Sequence, residues 1–298
     1  MTSLQTRTPT VVQSLFEAPA SPGYWSSVWR RLRRDRVSMV CLCVLSLIIL
    51  SAIFAPWLAP ADPALGSVLK RLKPIGSEGY WLGTDELGRD MLTRLLYGGR
   101  ISLLMGIAPV CMALLIGGGL GMLAGFAAGK TNALIMRLTD VVLAFPSVLL
   151  AVAITGALGA GIGITLLALT IVLIPPIVRV AESATTGVRN MDFIEAARAS
   201  GADSFTILRV HVLGNILGPV LVYATSLLSV SIILAAGLSF IGLGAKPPTP
   251  EWGLMLNTLR NAIYSQPLLA ALPGLLIFIV SLCFNLLADG LRSAMEVK

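Results

Sequence analysis

Few side chains in this 298-residue sequence could carry covalent or acid–base chemistry. The nearest approach to a nucleotide site is Gly125-Phe126-Ala127-Ala128-Gly129-Lys130-Thr131. A phosphate loop of the form G-x-x-x-x-G-K-[ST] cradles phosphates with backbone N–H groups and a lysine. Here the spacing is one residue short, because Ala124 stands where the first glycine belongs, and an apolar helical run rather than a strand leads into it. ATP binding by this segment is not expected. The single histidine, His211, has no cysteine or carboxylate cluster beside it. Cys41, Cys43, Cys111 and Cys283 lie inside apolar runs and form no C-x-x-C pair. They read as small apolar packers, so no metal site and no disulfide framework is expected. H-E-x-x-H, G-x-S-x-G and His/Cys pairings are absent, and no catalytic residue is assigned.

The polar stretch 181–215 contains Asp192-Phe193-Ile194-Glu195-Ala196-Ala197-Arg198-Ala199-Ser200-Gly201-Ala202-Asp203. Glu195 to Ala199 favour helix, Gly201 is a good helix stop, and Asp203 or Ser204 can cap a second helix through Ile207, Leu208 and Val210. The pattern is a short helix, a glycine break and another short helix within the polar stretch 181–215.

The elements that must position this loop are membrane helices. Apolar residues make up 56% of the chain and charged residues 12%, about half the charge of a soluble domain. That deficit excludes an aqueous globular domain, a disordered tail and a secreted disulfide scaffold. Six apolar stretches are long enough to cross a bilayer: Val37–Leu58, Ile101–Ala128, Val141–Gly159, Ile164–Val180, Ile216–Ile241 and Leu268–Leu287. Lipid offers the backbone no hydrogen-bond partners, so each is expected to be a helix, in an all-α integral membrane protein. Arg30, Arg31, Arg33, Arg34 and Arg36 directly precede the first span and argue for a cytoplasmic N-terminus, and an even number of spans returns the C-terminus to that side. Fourteen of the 22 Lys and Arg residues then face the cytoplasm. The first span is longer than the apolar region of a signal peptide and reads as a retained anchor. Residues 1–22 are polar and expected to be mobile. Tyr24 to Arg34 interleaves aromatics with arginines. Directly before a span this suits an interfacial helix on the lipid bilayer, and no nucleic-acid partner is expected.

Within the spans, Gly117, Gly121, Gly125 and Gly129 recur every fourth residue and would let another helix approach backbone to backbone. Asp140, Arg179, Glu182 and Asp289 fall at predicted helix ends, leaving few deep charges for a proton- or sodium-coupled carrier. Pro109, Pro146, Pro175 and Pro219 are expected to kink helices. Thr225 and Ser229, with neighbouring hydroxyls, could line a polar translocation path or serve helix packing. The long loops 59–100 and 242–267 suit partner docking or gate packing, with Asp85, Arg89 and Trp252 as candidate residues.

Glu195-Ala196-Ala197 with Gly201 four residues on resembles the EAA loop of ABC importer permeases. Leu82-Gly83-Thr84-Asp85-Glu86-Leu87-Gly88-Arg89-Asp90, Leu238-Ser239-Phe240-Ile241-Gly242-Leu243-Gly244, Pro247-Pro248-Thr249-Pro250-Glu251-Trp252-Gly253 and Phe284-Asn285-Leu286-Leu287-Ala288-Asp289-Gly290-Leu291-Arg292 extend the likeness. Together they resemble the second, C-type permease subunit of the dipeptide/oligopeptide/nickel importer family, from about Arg30 to Arg292. The sequence departs from that pattern at Gly214, where proline is usual, and at Ala288 and Ser293.

The resemblance implies a type I ABC importer permease fold. Its parts would be a cytoplasmic segment 1–36, an anchor helix 37–58, a periplasmic loop 59–100, a five-helix core 101–292 and a tail 293–298. It implies that Glu195, Ala196, Ala197, Gly201 and Asp203 contact an ATPase. It implies a homologous permease as heterodimer partner, two ABC ATPase subunits that bind the ATP and Mg, and a periplasmic substrate-binding protein. No cofactor is bound by the chain itself, which would sit in the bacterial inner membrane. Peptides are the expected substrate class, with nickel chelates, opines or glutathione-like compounds as alternatives. An ion-coupled secondary transporter is the alternative of a different class.

Overall fold

The computed structural model describes residues 23–296. The expected mobility of residues 1–22 and the end of the expected tail lie outside the described residues. Eleven helices organise the remainder, and no strand forms among the described residues beyond three isolated bridges in the loop that follows the first span.

Helix α1, Tyr24–Leu32, is amphipathic. Val28 and Leu32 pack on Ala294, Leu291 and Met295, while Tyr24, Trp25 and Trp29 are exposed. The Arg33 guanidinium lies 4.8 Å over the Trp29 ring. Exposed indoles beside arginines suit a helix lying at headgroup depth. The first apolar stretch is two helices rather than one: α2, Arg36–Ile53, and the single turn α3, Ala55–Leu58, with Phe54 outside helical geometry between them. Asp35 caps α2, its carboxylate accepting from Val37 N and Ser38 N.

Helix α4, Met91–Ala127, has 37 residues and begins ten residues before the expected Ile101. Asp90 explains the early start, since its Oδ2 accepts from Thr93 N at 2.7 Å and satisfies a first-turn donor. The expected loop 59–100 is correspondingly shorter. The expected third span, Val141–Gly159, is broken. Helices α5, Gly129–Leu143, and α6, Ser147–Leu158, meet at 84° across a three-residue break. Pro146 has no N–H to continue the ladder, and it biases Phe145 away from helical geometry. The described chain thus holds five helices long and apolar enough to cross a membrane, six crossings if the bent pair counts as one.

Helix α7, Ile162–Arg189, runs through Pro175 and Pro176 and continues nine residues past the expected end at Val180. Arg179 and Glu182 therefore sit within a helix, not at its end. The expected polar loop 181–215 contracts from both sides. Between residues 190 and 203 only the short helix α8, Asp192–Ala199, intervenes. Ser204–Thr206 then begins a helical stretch that passes through a π-helical segment, Ile207–Val212, into α9, Leu213–Phe240. Helix α10, Trp252–Thr258, and the long α11, Pro267–Met295, complete the chain.

Helices α4 and α7 make the most extensive pairing, and α9 packs on both and on α11. One core cluster joins α2, α4, α9, α10 and α11 through Leu45, Leu95, Ile232, Trp252 and Leu269. A second joins α4, α7 and α9 through Val110, Leu173, Ile177 and Ala224.

Candidate functional site

The two ends of this bundle carry the residues singled out by sequence. At one end, α8 is held mainly by Ile194, with Ala197 packed beside it. Ile194 is fully buried in a cluster with Val188, Ile207, Val212 and Ile216. Glu195, Ala196 and Ala199 are exposed on the same short helix, and Glu195 forms no ion pair among the described residues. The helix closes in a Schellman geometry: Ala202 N donates to Ala197 O at 3.1 Å and Gly201 N to Arg198 O at 2.9 Å. Gly201 has φ of +84° with open space around it. Backbone conformation, not crowding, requires glycine there. Asp203 caps the following turn, accepting from Phe205 N, Thr206 N and Thr206 Oγ1. The Thr206 hydroxyl first, and then its amide, hold the Asp203 carboxyl below the usual carboxylate range. Arg189 Nη1 donates to Gly125 O at 3.0 Å, and the Arg198 guanidinium lies over Phe126, tying this end to α4. His211 sits in the π segment, 6.3 Å from the Phe193 ring.

The glycine stripe lies along the α4–α7 seam. A Cβ added at Gly117 would come within 2.9 Å of Ile174 O, at Gly121 within 2.5 Å of Val178 O, and at Gly125 within 2.7 Å of Glu182 O. Gly129 stands apart. It begins α5, and nothing lies near its Cβ position. Near the coupling end of this seam, Asn132 Nδ2 donates to Glu182 Oε1 at 2.6 Å. Arg179 Nη2 donates to Asp140 Oδ1 at 2.6 Å, linking α7 to α5 on a half-exposed face.

The opposite end is locked by buried charge. Asp85, Arg89 and Trp252 are 3%, 5% and 1% exposed. Of the two expectations for these side chains, partner docking or gate packing, burial suits packing, since little of any of them reaches the surface. Asp85 Oδ1 accepts from Leu87 N and Arg89 N, each at 2.9 Å, and Oδ2 accepts from Arg89 Nε at 2.7 Å. Arg94 Nε lies 3.2 Å from the same Oδ2, an ion pair not aligned as a hydrogen bond. Arg94 Nη1 reaches Pro63 O at 3.0 Å and Pro248 O at 3.4 Å, so one guanidinium joins both loops to α4. Glu251, 1% exposed, accepts from Ser102 Oγ, Gly253 N and Leu254 N, and Trp252 Nε1 donates to Leu95 O at 3.0 Å. Gly98 and Gly99 make room for the indole.

Arg94, Ser102 and Glu251 were not singled out by sequence. The signal that could have found Arg94 is an arginine just before an apolar span with Asp85 and Asp90 close upstream. The hydroxyls of Thr225 and Ser229 bond back to Leu221 O and Ser226 O of their own helix, and Ser229 is buried. Ser229 thus does not line an open path in this chain, and its hydroxyl is satisfied by the helix. Of the cysteines, Cys41 and Cys283 are buried together, whereas Cys43 and Cys111 are exposed on the outer face.

A bundle of five or six membrane crossings that bears a short exposed helix with a glycine stop at one end has the architecture of a membrane transporter subunit. Residues 117–297 match the family model of binding-protein-dependent transport system inner membrane components, and residues 23–74 match the N-terminal transmembrane domain of oligopeptide transport permease C. The di/tripeptide transport system permease protein DppC of Pseudomonas aeruginosa is 41% identical over 298 residues, covering 96% of this chain and 98% of that protein. The glutathione transport system permease protein GsiD of Pectobacterium atrosepticum is 41% identical over 274 residues, covering 92% and 91%, and that of Escherichia coli O157:H7 is 43% identical over 274, covering 92% and 90%. The inward-facing MetNI methionine ABC transporter has the same fold, with a TM-score of 0.57 at 20% identity over 70% of this chain and 98% of that one.

The chain belongs to the family of binding-protein-dependent transport system inner membrane components. It is a C-type permease subunit of a dipeptide/oligopeptide-type ABC importer, a multi-pass inner-membrane protein and a transporter rather than an enzyme. This overturns the ion-coupled carrier. An ABC importer permease works with an ATPase and another permease.

Proposed function

We propose that this chain forms, as a heterodimer with a homologous permease, the translocation path for di- and oligopeptides. A periplasmic binding protein delivers the peptide, and two ATPase subunits, which hold the ATP and Mg, dock on α8. The observation that carries this reading is the exposure of Glu195 and Ala196 on a short helix whose one fully buried side chain is Ile194. Small alanines permit close approach, and Glu195 offers a charge to a basic groove. Ile194 packs on Ile207 and Val212 of the π segment and on Ile216 of α9, so a push on α8 reaches the bundle. Closure of the ATPases would then switch the pathway between its two openings.

Helix α1 and the end of α11 lie together, Arg31 Nη1 donating to Glu296 O at 3.1 Å. Both described ends of the chain are thus at one pole, which suits cytoplasmic termini on the ATPase side. Gly117, Gly121 and Gly125 act as the packing seam on which α7 carries this end. Thr225 is half-buried on α9 and remains the better of the two hydroxyl candidates for the path.

The test is reconstitution of the whole importer in proteoliposomes. Glu195→Arg is expected to leave insertion and complex recovery unchanged while uptake falls at least about tenfold. Wild-type uptake in that variant would count against docking on α8. Glutathione is the second substrate reading, because two of the relatives described above are glutathione permeases. Competition between labelled dialanine and glutathione for uptake separates the two.

A further inference from the structure

A cavity of about 640 Å³ opens at the coupling-helix end, between α1, α7, α9 and the last turn of α11. Its volume is in the range of small-molecule sites. Tyr24, Asn215, Pro219, Tyr223, Arg292 and Glu296 contribute to its wall. We propose that this cavity binds the free termini of an imported peptide, Arg292 receiving the carboxylate and Glu296 the ammonium group. The inference rests on the peptide-importer reading and adds a site to it.

Three observations support the assignment. First, Arg292 and Glu296 stand one turn apart with opposite charges, yet their side chains make no ion pair among the described residues. Glu296 has already left helical geometry, at φ −66° and ψ 110°, so the usual i, i+4 pairing is not made. Two opposite charges left unpaired beside one cavity suit a zwitterion.

Second, Asn215, Pro219, Tyr223 and Ser226 recur on α9 every three or four residues, and none is fully buried. They make a track running from the cavity into the bundle. Third, Gly218 lets Tyr24 of α1 and Met295 of α11, both in the cavity wall, close onto α9. A Cβ there would lie 3.2 Å from Tyr24 Oη and 3.5 Å from Met295 Sδ. The site also adjoins the lever, since Asn215 Nδ2 donates to His211 O, in the segment leading from α8, at 2.6 Å. A peptide held there would bear on the coupling arm, so product accumulating on this side slows the cycle.

The experiment uses the intact importer, with both permeases, ATPases and binding protein, in proteoliposomes loaded on the ATPase side with a dialanine analogue bearing a diazirine. Photolysis and peptide mapping are expected to place crosslinks at 215–223 and 292–296. Free dialanine should suppress them, whereas N-acetylated, amidated dialanine should not. Arg292→Gln should reduce crosslinking at least about tenfold, the scale of one lost charge-assisted pair, and Arg292→Lys should retain most of it. The proposal is overturned if crosslinks fall elsewhere, if they are indifferent to Arg292→Gln, or if blocked dialanine competes equally. Crosslinks that appear only after delipidation would assign the cavity to a phospholipid instead, and none at this site would assign it to cover by the second permease. Dialanine uptake by the parent importer, measured in parallel, separates the cases. Uptake without crosslinks sinks this site alone, and no uptake sinks the peptide reading with it.

Discussion

The two ends of the bundle solve opposite problems with similar residue types. At the coupling end, Glu195 and Asp203 are in water, and one buried isoleucine and one left-handed glycine shape the helix. At the far end, Asp85, Arg89, Arg94 and Glu251 are withdrawn from water, paired with one another or bonded to backbone, and Arg94 and Glu251 tie loops to α4. A surface that must engage and release a partner needs exposed, weakly committed groups. A cap that must move with its helix as one body needs buried, mutually satisfied ones. Charge is therefore left in water at one end, as the proposed docking on α8 requires, and is buried to give rigidity at the other.

That contrast can be broken by substitution, and the far end should respond most strongly. Asp85→Ala leaves Arg89 and Arg94 buried without their shared carboxylate and should cost about 3–5 kcal/mol. Loss of monodisperse complex on size-exclusion chromatography would report it. A fully assembled, wild-type-like complex would mean that the far end is not locked by charge. Trp252→Ala empties the slot beside Gly98 and Gly99 at a cost of about 3–5 kcal/mol, read as a fall in thermal midpoint of the purified complex. Gly121→Val, in the seam between the ends, forces the helices apart by its contact with Val178 O and should cost about 1–3 kcal/mol by the same readout.

The coupling end should show small stability effects and large functional ones. Gly201→Val places a β-branched residue at φ +84° and should cost about 1–2 kcal/mol locally, with assembly kept and uptake lost. Uptake at the wild-type rate would separate the turn from coupling. Asp203→Ala removes the cap on Phe205 N and Thr206 N, the smallest effect expected at this end. Because the folded carboxyl titrates below its unfolded value, the cap is fully present above about pH 4 and is lost as pH falls through the folded pKa. Amide exchange at Phe205 and Thr206 should therefore show constant protection between pH 8 and 5. A loss of protection within that window would contradict the assignment.

The coupling loop was legible because its determinants are local. Gly201 and Asp203 act on backbone within three residues, and a helix stop or cap can be read from such neighbours. The spans were legible in number but not in extent. Asp90 starts α4 ten residues early, and α7 outlasts its apolar run to Arg189, because polar residues propagate a helix once a neighbour supports it. Such support cannot be seen from hydropathy. The break at Phe145-Pro146 was signalled by the proline, yet the apolar run on either side concealed it. At the far end, Asp85, Arg89 and Trp252 were marked for docking or gate packing without a choice between them: nothing in their spacing tells whether water or Arg94 will satisfy the carboxylate.

Sequence alone determined the membrane class, the likeness to a C-type permease, and the helix–glycine–cap grammar of the coupling loop. These depend on composition and on contacts between near neighbours along the chain. Tertiary structure decided which charges are buried, where the helices end, and that Tyr24, Asn215 and Arg292 meet around one cavity. Those outcomes depend on residues up to 268 positions apart, and a partner brought from that distance changes solvation in a way no local pattern records.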